Sequence, residues 1–251
     1  MLDARQTASL DPNVEMDITG SVYFPQDCHL RPDLFMAALQ EKCVGAGVEF
    51  SFGSEATSFQ ISRTRIEKVH TRGDEISGDE FVLCGGSWSP ALAHKVGLSL
   101  PMQAGKGYSL TLPSPRQKPE ICAIFAEARM AITPMGSALR FGGTMELAGT
   151  DTRINPLRVE GIIEAVPKYY PAFKREDFSG IAPWSGLRPC SPDGLPYLGR
   201  SQRFNNLSVA TGHAMMGLSL GPISGKLMSQ VLSGEAPELS IELLNPDRFA
   251  A

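Results

Sequence analysis

The chain has four histidines, His29, His70, His94 and His213, and no two stand at a spacing that would let them share a metal ion. Its five cysteines, Cys28, Cys43, Cys84, Cys122 and Cys190, are odd in number, scattered and without a CxxC pair. That pattern argues against a disulfide framework and against a zinc site, and reads as reduced structural thiols. No apolar run approaches the roughly 18 to 20 residues that cross a bilayer. The opening Met1-Leu-Asp-Ala-Arg-Gln-Thr7 has neither the basic start nor the apolar stretch of a signal peptide. A soluble, cytoplasmic protein is the expectation. Charge of one sign is scarce too: 23 Lys and Arg stand against 27 Asp and Glu, a formal charge of -4. Without a basic field, nucleic acid is not expected as a partner, and a small solute is.

What is present is enough apolar material for a core, 42% of 251 residues, together with 25 glycines and 19 prolines. So much glycine and proline suits many short strands joined by tight turns better than a helical bundle. A strand is expected at Gly20–Pro25, then a helix opening at Pro32 with Leu34, Phe35, Ala38, Leu39 and Val44 on one face, stopped by Gly45 and Gly47. Strands are expected next at Val48–Phe52, Thr57–Ser62 and Arg65–Thr71, with a turn at Arg72–Asp74 and a buried strand at Glu80–Cys84. That strand runs into Gly85-Gly86 and a short helix from Pro90, and a strand-to-glycine-to-helix crossing is where a doubly wound sheet meets a nucleotide.

From Leu100 to Phe141 the pattern alternates, as in an antiparallel sheet with one covered face. Asn155 is placed to cap a helix from Pro156 to Val166. Asn206–Ala210 reads as a strand that turns at Thr211-Gly212 into a glycine-rich helix. Pro222 should kink that helix or delay its start.

The segment Trp184-Ser-Gly-Leu-Arg-Pro-Cys-Ser-Pro-Asp-Gly-Leu-Pro-Tyr-Leu-Gly199, followed by Thr211-Gly-His-Ala-Met-Met-Gly217, resembles the closing signature of the D-amino-acid oxidase family of FAD enzymes, in its D-amino-acid dehydrogenase and glycine oxidase branch. Upstream, Phe81-Val-Leu-Cys-Gly-Gly-Ser-Trp-Ser89 and Lys106-Gly-Tyr-Ser109 are similar to segments of the same family. The resemblance runs from about Gly20 to Phe249. Members open with a GxGxxG turn that holds the ADP half of FAD, and none occurs between Met1 and Ala251. The chain therefore reads as the back part of such a protein.

The resemblance implies an α/β fold: a FAD-binding doubly wound sheet, incomplete at its N-terminus, carrying a mainly antiparallel β substrate domain. Residues 1–26 and 99–182 would belong to the substrate domain, and 27–98 and 183–251 to the FAD-binding domain. It also implies roles. Arg188 would hold the substrate carboxylate through two parallel hydrogen bonds, a grip that lysine cannot reproduce; an ion pair is the alternative. Tyr108 would line the substrate pocket or pack in its strand. His213 would act in catalysis or serve as a hydrogen-bonded turn residue. FAD would lie against Ala56, Gly85, Gly86, Trp88, Gly212, His213, Met216 and Gly217.

The implied partners are a small amino acid, a quinone or oxygen as electron acceptor, a GxGxxG unit from a longer chain or another polypeptide, and a peripheral membrane contact. No metal is implied. Three readings stand side by side: a working amino-acid oxidoreductase, a truncated flavin-free remnant, and a non-catalytic subunit that keeps the pocket.

Overall fold

A computed structural model describes residues 1–250. In chain order the elements are β1 (Leu2–Asp3), α1 (Ala4–Leu10), β2 (Gly20–Ser21), α2 (Pro32–Gly45), β3 (Ala56–Ser62), β4 (Arg65–Thr71), β5 (Glu75–Ser77), β6 (Phe81–Leu83) and α3 (Ser89–Lys95). They continue with β7 (Gln103–Leu112), β8 (Ala123–Phe125), β9 (Met130–Met135), β10 (Ala138–Leu147), α4 (Pro156–Ala165), β11 (Trp184–Cys190), β12 (Tyr197–Arg200), β13 (Leu207–Thr211) and α5 (Gly217–Ser233). Contacts divide the chain into two compact units. One is Met1–Phe50, Gly107–Glu146 and Thr152–Gly186; the other is Ser51–Lys106, Leu147–Asp151 and the chain from Leu187 onward. Residues 27–50 thus group with the first unit, whereas the family resemblance assigns them to the FAD-binding domain.

In the first unit the sheet order is β11-β7-β10-β9-β8, and β9 pairs antiparallel with both β10 and β8. Alternation along β7 and β10 sends Tyr108, Leu110, Leu112, Leu139 and Phe141 into one core with Ile162, Val166, Tyr170, Phe173 and Phe178. Phe141 meets Phe173 and Phe178 edge-on at 5.5 and 5.4 Å between ring centres. Helix α4 starts where Asn155 accepts a hydrogen bond from the Leu157 N–H at 3.1 Å and Pro156 fills the first helical position.

Strand β10 changes face near its end. Leu139 and Phe141 face the core, and a Cβ on Gly143 would meet Ile162 and Met130 at 3.3 Å. Strict alternation would then bury Met145 and Leu147 and send Glu146 outward. Instead Met145 and Leu147 are exposed, and the Tyr108 hydroxyl donates to Glu146. At the change stands Thr144, a β-branched residue at φ 58°.

The second unit holds two small sheets. In one, of order β12-β13-β6, β13 runs parallel to β6 with Val209 opposite Leu83, and β12 is antiparallel to β13. The other is the antiparallel meander β3-β4-β5. Asn206, 1% exposed, joins them: its Oδ1 accepts from the Ile66 N–H at 2.9 Å and its Nδ2 donates to the Ile66 carbonyl at 2.8 Å, as a strand partner would.

Three sequence expectations differ from the structure. The expected strand at Val48–Phe52 is irregular, and Val48, Phe50 and Phe52 are exposed. The strand expected over Gly20–Pro25 shortens to Gly20–Ser21, since its partner Leu2–Asp3 is only two residues long. Strand β6 is an edge rather than a buried strand, because its order has β13 on one side only, and Val82 is exposed.

Candidate active site

Two glycine turns meet at one end of a parallel strand pair. Gly86 lies three residues beyond Leu83 and Gly212 three beyond Val209, so the register sets them side by side at the C-terminal ends of β6 and β13. In open α/β sheets ligands bind at that end. Both glycines have positive φ, 54° and 84°. Gly86 faces open space, whereas a Cβ on Gly212 would fall 3.0 Å from the Tyr197 ring. Buried Thr211 and Ser89 tie the turns together: Ser89 Oγ donates to Thr211 Oγ1 at 3.2 Å, and Thr211 Oγ1 donates to the Gly86 carbonyl at 3.4 Å.

A third segment joins this pair. The Ala214 N–H donates to the Pro189 carbonyl at 3.0 Å, and Cys190 forms an isolated antiparallel bridge with His213. The end of β11 is therefore fixed to the Gly212 turn, with Arg188 two residues back along the strand. Arg188 Nη1 is buried and has no hydrogen-bond partner. A buried guanidinium donor of this kind is costly unless an acceptor arrives. The Ser87 hydroxyl, next to Gly86, is buried and unpartnered as well.

Helix α5 begins at Gly217 behind Met216, with no side-chain cap. The first N–H groups of a helix have no intrahelical acceptor and carry the positive end of its dipole, so they favour an electron-rich group placed before them. Ala214 holds φ 48°, an uncommon conformation for a residue with a side chain. The helix neither starts late nor stops at Pro222, which lies inside it. His213 braces this turn, its Nε2 standing 2.8 Å from Ser224 Oγ on α5. Burial pushes the imidazole pKa down, which favours the neutral ring.

Of the residues singled out in the sequence, Gly85, Gly86, Trp88, Arg188, Gly212, His213, Met216 and Gly217 belong to these three segments of one unit. Trp88 and Met216 are exposed beside the glycine turns. Ala56 lies elsewhere in the unit, at the start of β3 opposite Thr71. Tyr108 sits in the core of the other unit at 2% exposure with its hydroxyl given to Glu146, whose other carboxylate oxygen accepts from Asn155 Nδ2 at 3.3 Å. Ser87, Ser89, Thr211, Ser224 and Glu146 were not anticipated. Single serines and a carboxylate without a spacing motif give no signal until the register brings them together. Among the described residues no group of His, Cys, Asp and Glu could hold a metal ion.

The chain is similar to proteins of known sequence and structure. The D-amino acid dehydrogenases of Bradyrhizobium diazoefficiens and Helicobacter pylori are 33% and 31% identical to this chain, over 94% and 97% of its length. The glycine oxidase structure from Geobacillus kaustophilus superposes with a TM-score of 0.88 at 25% identity, covering 98% of this chain. The chain spans 56% and 59% of the two dehydrogenases and 66% of the oxidase. The L-proline dehydrogenase of P. horikoshii, at 18% identity and a TM-score of 0.83, shares the fold. The family model described as FAD dependent oxidoreductase, DAO, matches residues 1–231, and the chain belongs to that family.

Proposed function

We propose that this chain forms the substrate-gripping and flavin-facing part of a FAD-dependent oxidoreductase acting on the CH–NH group of a small amino acid: a D-amino acid, glycine, or an N-methyl or cyclic amino acid. The observation that carries this reading is Arg188. Its buried, unpartnered Nη1 lies on a strand bridged to the Gly212 turn, which leads into the open end of α5.

The chain's own residues suit both ligands. Arg188 would donate two parallel hydrogen bonds to the substrate carboxylate, fixing the distance and orientation of the α-carbon. The backbone N–H groups from Gly212 to Gly217 would face the electron-rich edge of the flavin ring, where donors set in advance favour accumulating negative charge. Gly86, open in front, and the Ser87 hydroxyl would approach the ribose or diphosphate. His213, neutral and held by Ser224, fits a part in keeping the turn in place. When bound, FAD would accept the hydride from the α-carbon, and the imine so formed would be hydrolysed by water. A quinone or oxygen would be the final acceptor.

In a flavin-loaded enzyme, reconstituted with a GxGxxG unit or full-length, Arg188→Lys is expected to raise KM for amino acids by about tenfold to several hundredfold, the loss of a charge-assisted pair at roughly 1.5–3 kcal/mol. An unchanged KM removes Arg188 from the site.

A second reading has its own support. No residue of α2 is buried, although Leu34, Phe35, Met36, Leu39 and Val44 are all apolar, and β6 has a free edge. Exposed apolar surface and an open strand edge are each places where another element can dock. On this reading the chain is flavin-free, or non-catalytic, until a GxGxxG unit joins it.

A further inference from the structure

Helix α5 has a weakly restrained beginning. Its stretch 217–223 includes Gly217, Gly221 and Pro222, and the first buried residue of the helix is Ser224, followed by Leu227 and Met228. Glycine and proline are the poorest helix formers, and Pro222 has no N–H to return to the Leu218 carbonyl one turn back. A Cβ on Gly221 would meet nothing within 4 Å, so packing does not require a glycine there. No side chain caps the first turn. Propensity, capping and burial all leave this end of the helix loose, although its free N–H groups are the ones that would face the flavin.

A side-chain contact spans the loose stretch. His213 Nε2, on the turn before the helix, stands 2.8 Å from the Oγ of Ser224, which lies about 10 Å along the axis from Gly217. A serine inside a helix commonly bonds the carbonyl one turn back along its own helix; Ser224, 8% exposed, bonds the imidazole instead. His213 is in turn fixed to β11, by its bridge with Cys190 and by the bond from the Ala214 N–H to the Pro189 carbonyl. The contact thus ties together three pieces of one compact unit: the end of β11 with Arg188, the Gly212 turn, and the first buried position of α5.

We propose that Ser224, acting through His213, is a positioning residue that holds the open end of α5 in register with Arg188. The inference rests on the reading that Arg188 grips the substrate carboxylate and that the N–H groups from Gly212 to Gly217 face the flavin. The grip belongs to β11 and the donors to the start of α5, so the distance between substrate and flavin depends on what joins the two. Displacements of about 1 Å in such a spacing are enough to slow a reaction by up to a hundredfold. The imidazole serves here as a brace and exchanges no proton with the substrate.

The test uses flavin-loaded enzyme, reconstituted with a GxGxxG unit or full-length. Ser224→Ala should lower kcat by about tenfold and leave KM within about twofold, because Arg188 still takes the carboxylate. The midpoint potential of the bound flavin should fall as well, by about tenfold in the two-electron equilibrium, about 30 mV, as the positive end of α5 moves out of place. His213→Ala should do the same, and the double variant should be no worse than either single one, as expected of two residues that act through one contact. His213→Gln, whose amide extends about as far as Nε2, should recover most of what His213→Ala loses.

A further readout needs no turnover. Amide hydrogen exchange at Leu220, Gly221 and Ile223 should quicken by about tenfold in Ser224→Ala, while exchange at residues 227–233 stays as in wild type and shows the rest of the helix intact. An unchanged flavin potential in Ser224→Ala, or losses that add in the double variant, would overturn the assignment. So would His213→Gln no better than His213→Ala, which would give the imidazole itself a part in the reaction. Wild-type enzyme that binds no flavin would instead remove the oxidoreductase reading, and this inference with it.

Discussion

At the scale of single residues, the contrast between Arg188 and Arg248 shows how an arginine declares its use. Arg248 is satisfied within the fold: its Nε and Nη2 donate to the Asp193 carboxylate at 2.9 and 3.0 Å, and its guanidinium lies 4.0 Å from the centre of the Tyr197 ring. Arg188 keeps a buried Nη1 without an acceptor. The first arrangement stabilises the fold, and the second awaits an anion.

The Asp193 pair also has a pH signature. The hydrogen bond from Arg248, and then that from the Leu195 N–H, hold the Asp193 carboxyl down at about 2. A folded value below the unfolded one means the stabilisation is complete above about pH 4 and is lost as pH falls through about 2. Urea midpoints of wild type and Asp193→Asn should therefore differ near neutral pH and converge over that acid window. A difference that stays constant down to pH 2 would show that the carboxylate contributes through something other than its charge.

At the scale of elements, much of the architecture depends on a few polar side chains and turns that stand in for regular pairing. Asn206 completes the join between β4 and the β13 side of its unit by matching both backbone groups of Ile66. Asn206→Ala would leave a buried N–H and a buried carbonyl without partners at about 1–3 kcal/mol each. A loss of about 2–4 kcal/mol in chemical denaturation is expected; a loss under about 0.5 kcal/mol would mean that water replaces the amide. Strand β10 makes the same point about local backbone, since Thr144 holds φ 58° two residues before Glu146, which accepts from the Tyr108 hydroxyl.

Helix α2 illustrates the limit of periodicity. Its bounds match Pro32 and Gly45, as its sequence indicates, yet none of its residues is buried. The expected strand at Val48–Phe52 has the right alternation and remains irregular, because alternation alone does not make a strand.

At the scale of the whole molecule, the question is how much of a flavin site these 251 residues hold. The three segments around Gly86, Arg188 and Gly212 would touch the ring end of FAD and part of its ribose. No GxGxxG lies within the chain to cradle the diphosphate. Lacking three or four charge-assisted hydrogen bonds at roughly 1.5–3 kcal/mol each would weaken binding by several powers of ten. This polypeptide expressed by itself is therefore expected to purify colourless and to oxidise no amine. Stoichiometric FAD carried through gel filtration by this single polypeptide would show otherwise. Among the described residues no helix is long and apolar enough to cross a membrane.

Sequence alone determined what depends on local chemistry. Pro32, Asn155 and Gly234 mark helix ends, alternation marks β7, β9 and β10, and the ordered motif from Trp184 to Gly217 marks the family. Tertiary structure decided what depends on register. The parallel pairing of β6 with β13 sets Gly86 beside Gly212, although 126 residues separate them. The bridge between Cys190 and His213 brings Arg188 to the same turn. Hydrophobic periodicity specifies which face of a strand is covered, but pairing partners are chosen by the packing of distant segments, which no local spacing encodes.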